Sequence, residues 1–530
     1  MRIAVVAVLI ATLRIASTYY VYSHTMDEPA HIACGVEWLT KGTYNLEAQH
    51  PPLSRIAVAA GPVLNGAKTQ GYSPDLFTEG TAVLFDDAMM KPGSGKHELY
   101  LATARAGNLP FFWLACAVLF WAAARWMGRA QAALAVVVFT LIPPVLGHAG
   151  LATTDMALTA CLALAFYALA RWVERPTPMM GAFVGFAVGL AVISKFSTFV
   201  FLPACFGMAV LWALVYKGGF ATLRSWFTRP YLVSLAISLP VFLVIVWGIF
   251  RFSWGNGVPA PELWEGIRQA QKHQTEGHVA YLFGQLSETG FLLFYPVAIA
   301  VKTPLGILAA VIGGLILTWN RRTQAAWALP VAGVAGILAV GFYSRINIGI
   351  RHILPIYCFF ALMGAAFVWE WLKSETKWKQ WTAIGMLVWA AGSGLWNHPD
   401  YLPYFNELAG NEPERILADS DLDWGQDTTR LANRLKELNA KSLRFSTFTY
   451  TDTNYFGFPP IQTSFPSKPS PGWNAVSITE WKVMRMDLGI KKKDVPVWPD
   501  SLPPTERIGR GIRLYYVPPE APKTDLKEKQ

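Results

Sequence analysis

The chain has 530 residues, 53% of them hydrophobic and only 15% charged, with a mean hydropathy of +0.31. That balance excludes disorder and the ordinary soluble enzyme classes and makes this a membrane protein. The net charge of +10 needs a location before it has a meaning, and the 5 Cys, four of them inside apolar runs, imply no disulfide framework. The 22 Trp suit a chain that sets many rings at two membrane interfaces.

A spanning helix needs roughly 20 mostly apolar residues. Eleven stretches are candidates: 1 to 22, 107 to 124, 130 to 147, 154 to 170, 178 to 193, 197 to 216, 231 to 250, 291 to 319, 325 to 343, 350 to 370 and 380 to 396. Leu53 to Leu64 is too short to cross and is expected to lie on the membrane surface. Arg14 is costly inside the first span, so it either faces the protein interior or the chain starts further upstream. Residues 397 to 530 are more polar and richer in Pro, Lys and Asp, which predicts a separate water-exposed domain. A helical pattern at Thr428 to Leu438 alternates there with strand-like runs at Leu443 to Tyr450, Ala475 to Thr479 and Ile512 to Val517, predicting a small α/β unit, and Pro518 to Gln530 reads as a solvated tail.

Charge fixes the expected sidedness. With a cytoplasmic N-terminus, the short inner loops hold Arg125, Arg129, Arg171, Arg175, Lys217, Arg224, Arg229, Arg321, Arg322, Lys373, Lys377 and Lys379. The short outer segments hold only Lys195, Arg345 and Arg351, as the positive-inside rule requires. Much of the positive charge is therefore topological, and a nucleic-acid partner has little left to explain. By parity the 397 to 530 domain and the loop 23 to 106 are external.

Under this topology the unusual polar residues share the outer face: Asp27, Glu28, Glu47, His50, His148, Asp155, Lys195, His278, Arg345, Arg351 and His352. A carboxylate at a membrane surface can serve as a general base, although an arbitrary Asp-Glu pair more often caps a helix. Asp155 after Thr153-Thr154 is by itself a good helix start. Arg105, Lys195, Arg345 and Arg351 stand at outer ends of apolar spans, with Lys302 before Pro304. Each alone would snorkel to headgroups; several together beside apolar walls make a site for a lipid phosphate.

The order DEPAH, QHPPL, LATTD, SKFS, GHVAYLFGQLS, YPVAIAVKTPLG and NIGIRHILPIY resembles the GT-C superfamily of polyprenyl-phosphate-sugar-dependent glycosyltransferases, in particular the protein O-mannosyltransferases and the lipid A aminoarabinose transferases. The resemblance covers about the first 400 residues. It implies a mainly α, polytopic GT-C fold of about 11 transmembrane helices over 1 to 396, with the soluble α/β domain appended. It also implies an inverting transfer on the outer face from a polyprenyl-phosphate sugar, with the acceptor undefined. Asp27 would be the base, with Glu28 and Asp155 beside it; Asp155 would help to hold sugar or acceptor. Arg105, Lys195, His278, Arg345 and Arg351 would meet the carrier phosphate, and Glu47, His50 and His352 the substrates.

No cofactor is certain. Relatives commonly carry Glu where this chain has Gln49, which puts a divalent metal in doubt; Glu28, His50 and His278 would be its ligands if one is bound. The acids of Asp419 to Asp427 are spaced like a calcium loop, but Trp424 stands where such a loop needs Gly, which favours a turn or an acceptor-facing loop. A multi-span transporter would bury charge at mid-membrane in several helices, and a lipid-linked glycan ligase or polymerase would share the chemistry with a different acceptor.

Overall fold

The computed structural model describes residues 1–69, 71, 75–85, 96–486 and 495–519, so the tail from residue 520 onward lies outside the described residues. A helix stands at each of the eleven apolar stretches, but several are shorter or more broken than hydropathy suggests. Among the described residues, five helices are long and apolar enough to cross a membrane alone: Lys96–Trp126, Asp155–Glu174, Thr198–Tyr216, Arg229–Ile249 and Ala325–Tyr343. A sixth results if Arg129–Thr140 and Pro143–Ala149, bent by 72°, are one span. The chain is a multi-pass membrane protein.

Prolines explain the breaks. Pro143 and Pro144 lack the N–H that would continue the helix before them, and Pro304 separates Phe294–Lys302 from Leu305–Asn320 within the stretch expected as one span. The short helix Pro52–Leu64 packs on Glu28–Lys41 and on Lys96–Ala106.

Helices Asp155–Glu174 and Ile356–Leu372 are buried along most of their length and form the centre of the largest apolar cluster. Outer helices such as Arg2–Ala16 and Arg229–Ile249 leave Ile3, Leu9, Leu13, Leu235 and Leu243 exposed, as lipid-facing sides would be. Arg14 in the first helix turns towards protein: its Nε donates to the Tyr401 hydroxyl at 2.8 Å and its guanidinium lies over that ring. Pro178–Ser194 presents Gly181 and Gly185 to Arg229–Ile249 so closely that a Cβ at Gly181 would stand 2.0 Å from the Ser234 carbonyl oxygen. Such small-residue contacts let helix backbones touch, and this one fixes the helix that ends at Lys195.

After Lys377–Trp396 the chain runs through short 3₁₀ turns into helix Thr428–Glu437 and a five-stranded mixed sheet. Leu443–Ser446 pairs in parallel with Ile461–Gln462 and with Gly472–Ser477. Ile512–Val517 runs antiparallel to Gly472–Ser477 and to Glu506–Ile508. Leu431 and Leu435 of the helix pack on Leu443, Ala475 and Leu514.

Candidate active site

Helix starts and ends bring the polar residues together. Asp27 is the N-cap of Glu28–Lys41, with Pro29 in the first turn. Asp155 opens Asp155–Glu174, where the unpaired N–H groups of the first turn favour a carboxylate. Lys195 follows the last residue of Pro178–Ser194 with an extended backbone that turns its side chain across to Asp155. Arg351 lies in the 3₁₀ turn Ile350–Ile353.

These four side chains form one chain of charges. Arg351 Nη1 donates to Asp27 Oδ2 at 2.8 Å and stands 4.0 Å from Asp155 Oδ2. Lys195 Nζ donates to Asp155 Oδ1 at 2.6 Å. The Asp155 carboxylate is wholly buried, whereas the side chains of Asp27 and Lys195 keep 28% and 12% of their exposure, so the cluster opens at Asp27. Beyond Asp155, the Lys195 ammonium has no further hydrogen-bond partner among the described residues. His352 is within electrostatic reach of Lys195, Arg351, Asp155 and His278, and His273 within reach of Asp27, His50 and His278.

Other expected members sit elsewhere. Glu28 points away from Asp27 and forms a fully buried ion pair with Arg105, Nε to Oε1 and Nη2 to Oε2 both at 2.8 Å. The remaining Arg105 donors go to the carbonyls of Tyr19, Tyr22 and Ser23. All five N–H groups are satisfied by protein, which corrects the expectation that Arg105 meets a carrier phosphate. Glu28 also accepts from the backbone N–H of Thr25 and of Ala152, so it locks the loop before Asp27 to the loop before Asp155. Burial alone would push its carboxyl up, but Arg105 holds it below the ordinary range. Its role is therefore architectural, and neither the catalytic nor the metal role expected for it fits this pairing.

Glu47 belongs to a second cluster. Its carboxylate binds Arg55 and accepts from His50 Nδ1 at 3.2 Å, and Arg55 in turn donates to Tyr44 Oη and His31 Nδ1. Burial pushes Glu47 up, yet Arg55 and His50 hold it well below the usual carboxylate range. Arg345 is exposed on the rim, its Nη1 facing the Thr275 carbonyl at 3.4 Å. Lys302 is buried and donates to the carbonyls of Leu402 and Asp421. Among the described residues no three His, Cys, Asp or Glu are arranged to hold a metal ion, and two of the three expected ligands are engaged, Glu28 by Arg105 and His50 by Glu47. The described side chains here do not make a metal-binding set.

The hydropathy pattern gives no sign of Arg55, nor of the segment after the last span that reaches the site. Trp424 lies under Arg351, with the guanidinium carbon 4.1 Å from the ring centroid, and Ser420 Oγ accepts from Arg351 Nε at 3.1 Å.

Residues 105–247 match the family described as dolichyl-phosphate-mannose-protein mannosyltransferase, a stretch that contains Asp155 and Lys195. The fold is similar to that of ArnT from Cupriavidus metallidurans, crystallised with undecaprenyl phosphate, with a TM-score of 0.53 at 13% identity over 96% of this chain and 97% of that one. The chain has an ArnT-like fold. The apo form of the same ArnT gives a TM-score of 0.51 over the same shares of the two chains, again at 13% identity. A weaker likeness, with a TM-score of 0.46 at 12% identity, extends to the oligosaccharyltransferase of Archaeoglobus fulgidus over 74% of this chain and 56% of that one. A comparison with curated protein sequences finds no match.

Proposed function

We propose that the protein transfers a sugar from a polyprenyl-phosphate carrier to an acceptor on the external face of the membrane, with inversion, and that Asp27 is the general base. The observation that carries this reading is the partly exposed Asp27 carboxylate, aligned by Arg351 and linked through it to the buried Asp155–Lys195 pair. In a single displacement the acceptor O–H or N–H attacks the anomeric carbon while Asp27 takes its proton. The bond from that carbon to the phosphate oxygen breaks, and polyprenyl phosphate leaves with the bonding electrons. Lys195, with ammonium hydrogens beyond the one given to Asp155, stabilises the leaving anion, with Arg351 and His278 beside it.

Eleven crossings, a cytoplasmic N-terminus and an external 397 to 530 domain complete the reading. Its support is the concentration of basic residues in alternate short loops, together with the contact of Ser420 and Trp424 with Arg351, which puts the post-span segment on the same side as Asp27. Mass spectrometry of lipid-linked sugars and envelope glycans tests it in a deletion strain carrying either wild type or Asp27→Asn. The expected result is accumulated polyprenyl-phosphate sugar and a missing product, both restored only by wild type. An unchanged lipid-linked pool in the deletion strain would refute it.

A further inference from the structure

The segment 419–427 has more to do than connect the last membrane helix to the sheet. Trp424 is almost completely buried, its indole face under the Arg351 guanidinium, while Ser420 Oγ takes Arg351 Nε and itself donates to the Ile348 carbonyl. The plane and one edge of the guanidinium are thus set by this segment, and the other edge meets Asp27. Gly349, at φ +129°, allows the approach: a Cβ there would stand 2.6 Å from Ser420 Oγ. Asp419 turns the chain in the left-handed region at φ 57°, a conformation that a non-glycine residue holds only where its surroundings impose it.

The same segment also holds the backbone that leads into Asp27. The Trp424 carbonyl accepts from Met26 N–H at 3.0 Å, and the Gln426 carbonyl from Ser23 N–H at 3.1 Å. Gln426 fixes the loop internally, its Oε1 accepting from Trp424 N–H and its Nε2 donating to the Leu422 carbonyl. On its far side the segment is bolted to the sheet domain. Asp423 Oδ2 accepts from Thr479 N–H at 2.9 Å, Thr479 Oγ1 donates to the Asp423 carbonyl, and Asp427 accepts from Gly511 N–H and from Arg430.

Without such a platform Arg351 would have a choice, because Asp155 Oδ2 is only 4.0 Å from the nitrogen that binds Asp27. A planar cation stacked on an aromatic face and bonded at Nε keeps one orientation. We infer that Trp424 and Ser420 are positioning residues that hold Arg351 on Asp27, so that the domain after the last membrane helix is a working part of the active site. The inference rests on the proposed role of Asp27 as base.

The test compares purified wild type, Trp424→Leu, Trp424→Phe and Ser420→Ala, each alone and with Asp27→Asn, for kcat and for the KM of a polyprenyl-phosphate sugar. Trp424→Leu should lower kcat roughly tenfold with the donor KM little changed, Trp424→Phe should recover most of the rate, and Ser420→Ala should cost a few-fold. On the Asp27→Asn background neither Trp424→Leu nor Ser420→Ala should cost anything further, since the group being positioned is gone. Equal rates for Trp424→Leu and wild type, or losses that multiply with that of Asp27→Asn, would overturn the inference. An Asp27→Asn enzyme that keeps its rate would instead sink the base assignment. If the wild type transfers no sugar, or Trp424→Leu fails to fold, a thermal-unfolding cycle of Ser420→Ala with Arg351→Met decides without substrate: additive shifts contradict the hold of this segment on Arg351, coupled shifts support it.

Discussion

The Asp27–Arg351 and Glu28–Arg105 pairs start from adjacent residues and have opposite characters. Glu28 and Arg105 are both wholly buried, bonded twice to each other and otherwise to backbone and the Thr25 hydroxyl, so that no Arg105 donor is left over. Asp27 is open to the site, and Arg351 rests on a ring and a hydroxyl rather than in a full set of carbonyls. Neighbouring positions at the start of a helix face directions about 100° apart, so one acid can serve the architecture and the next the chemistry. What separates the structural ion pair from the one proposed to work in transfer is the completeness of its hydrogen bonding.

The sharpest way to break the comparison is at its buried half. Glu28→Ala leaves the Arg105 guanidinium without a counter-charge in the interior and should cost about 3–5 kcal/mol of stability, read as a large fall in melting temperature and in membrane yield. A well-folded Glu28→Ala enzyme would show that the buried pair is dispensable. Asp27→Asn should have the reverse profile: a transfer rate at least roughly 10²-fold lower with an unchanged melting curve, since Asn still offers Arg351 an oxygen. Lys195→Met keeps the apolar stem and removes the charge, and should weaken donor use roughly tenfold in a rate-against-donor titration. Superimposable curves would remove Lys195 from the phosphate site. The smallest effect concerns His24, next to the Ser23 carbonyl that binds Arg105. Burial, and then His97, push it from 6.5 down to about 4, so the folded protein holds it neutral and its contribution is present above pH 6.5 and lost as pH falls towards 4. At about pH 5.5 this amounts to about 1 kcal/mol, and His24→Asn should flatten the fall of melting temperature over that window.

The positions of Asp27, Asp155, Lys195 and Arg351 were legible because each sits at the end of an apolar stretch on the same deduced side, and charges there are few. Arg105 satisfied the same criterion and was misread. Hydropathy cannot distinguish a cation that faces the site from one whose five donors are met by Glu28 and three carbonyls, because those partners come from another part of the chain. The acid spacing of Asp419 to Asp427 is ambiguous for a related reason. Alternate acids suggest a shared cation, but Asp421 accepts from Ile350 N–H, Asp423 from Thr479 N–H and Asp427 from Gly511 N–H and Arg430, so they diverge instead of converging. The short strands Ile461–Gln462 and Glu506–Ile508 are too brief to leave a period in the sequence and exist by pairing with longer neighbours.

The central claim is transfer from a polyprenyl-phosphate sugar through Asp27, and release of the carrier tests it most directly. Purified wild type and Asp27→Asn are incubated with a polyprenyl-phosphate hexose and an envelope fraction as acceptor, and free polyprenyl phosphate is quantified by mass spectrometry. The account predicts release in step with sugar incorporation by wild type, lowered roughly 10²-fold or more in Asp27→Asn. A carrier that stays glycosylated with wild type, or is released equally by both proteins, would contradict it.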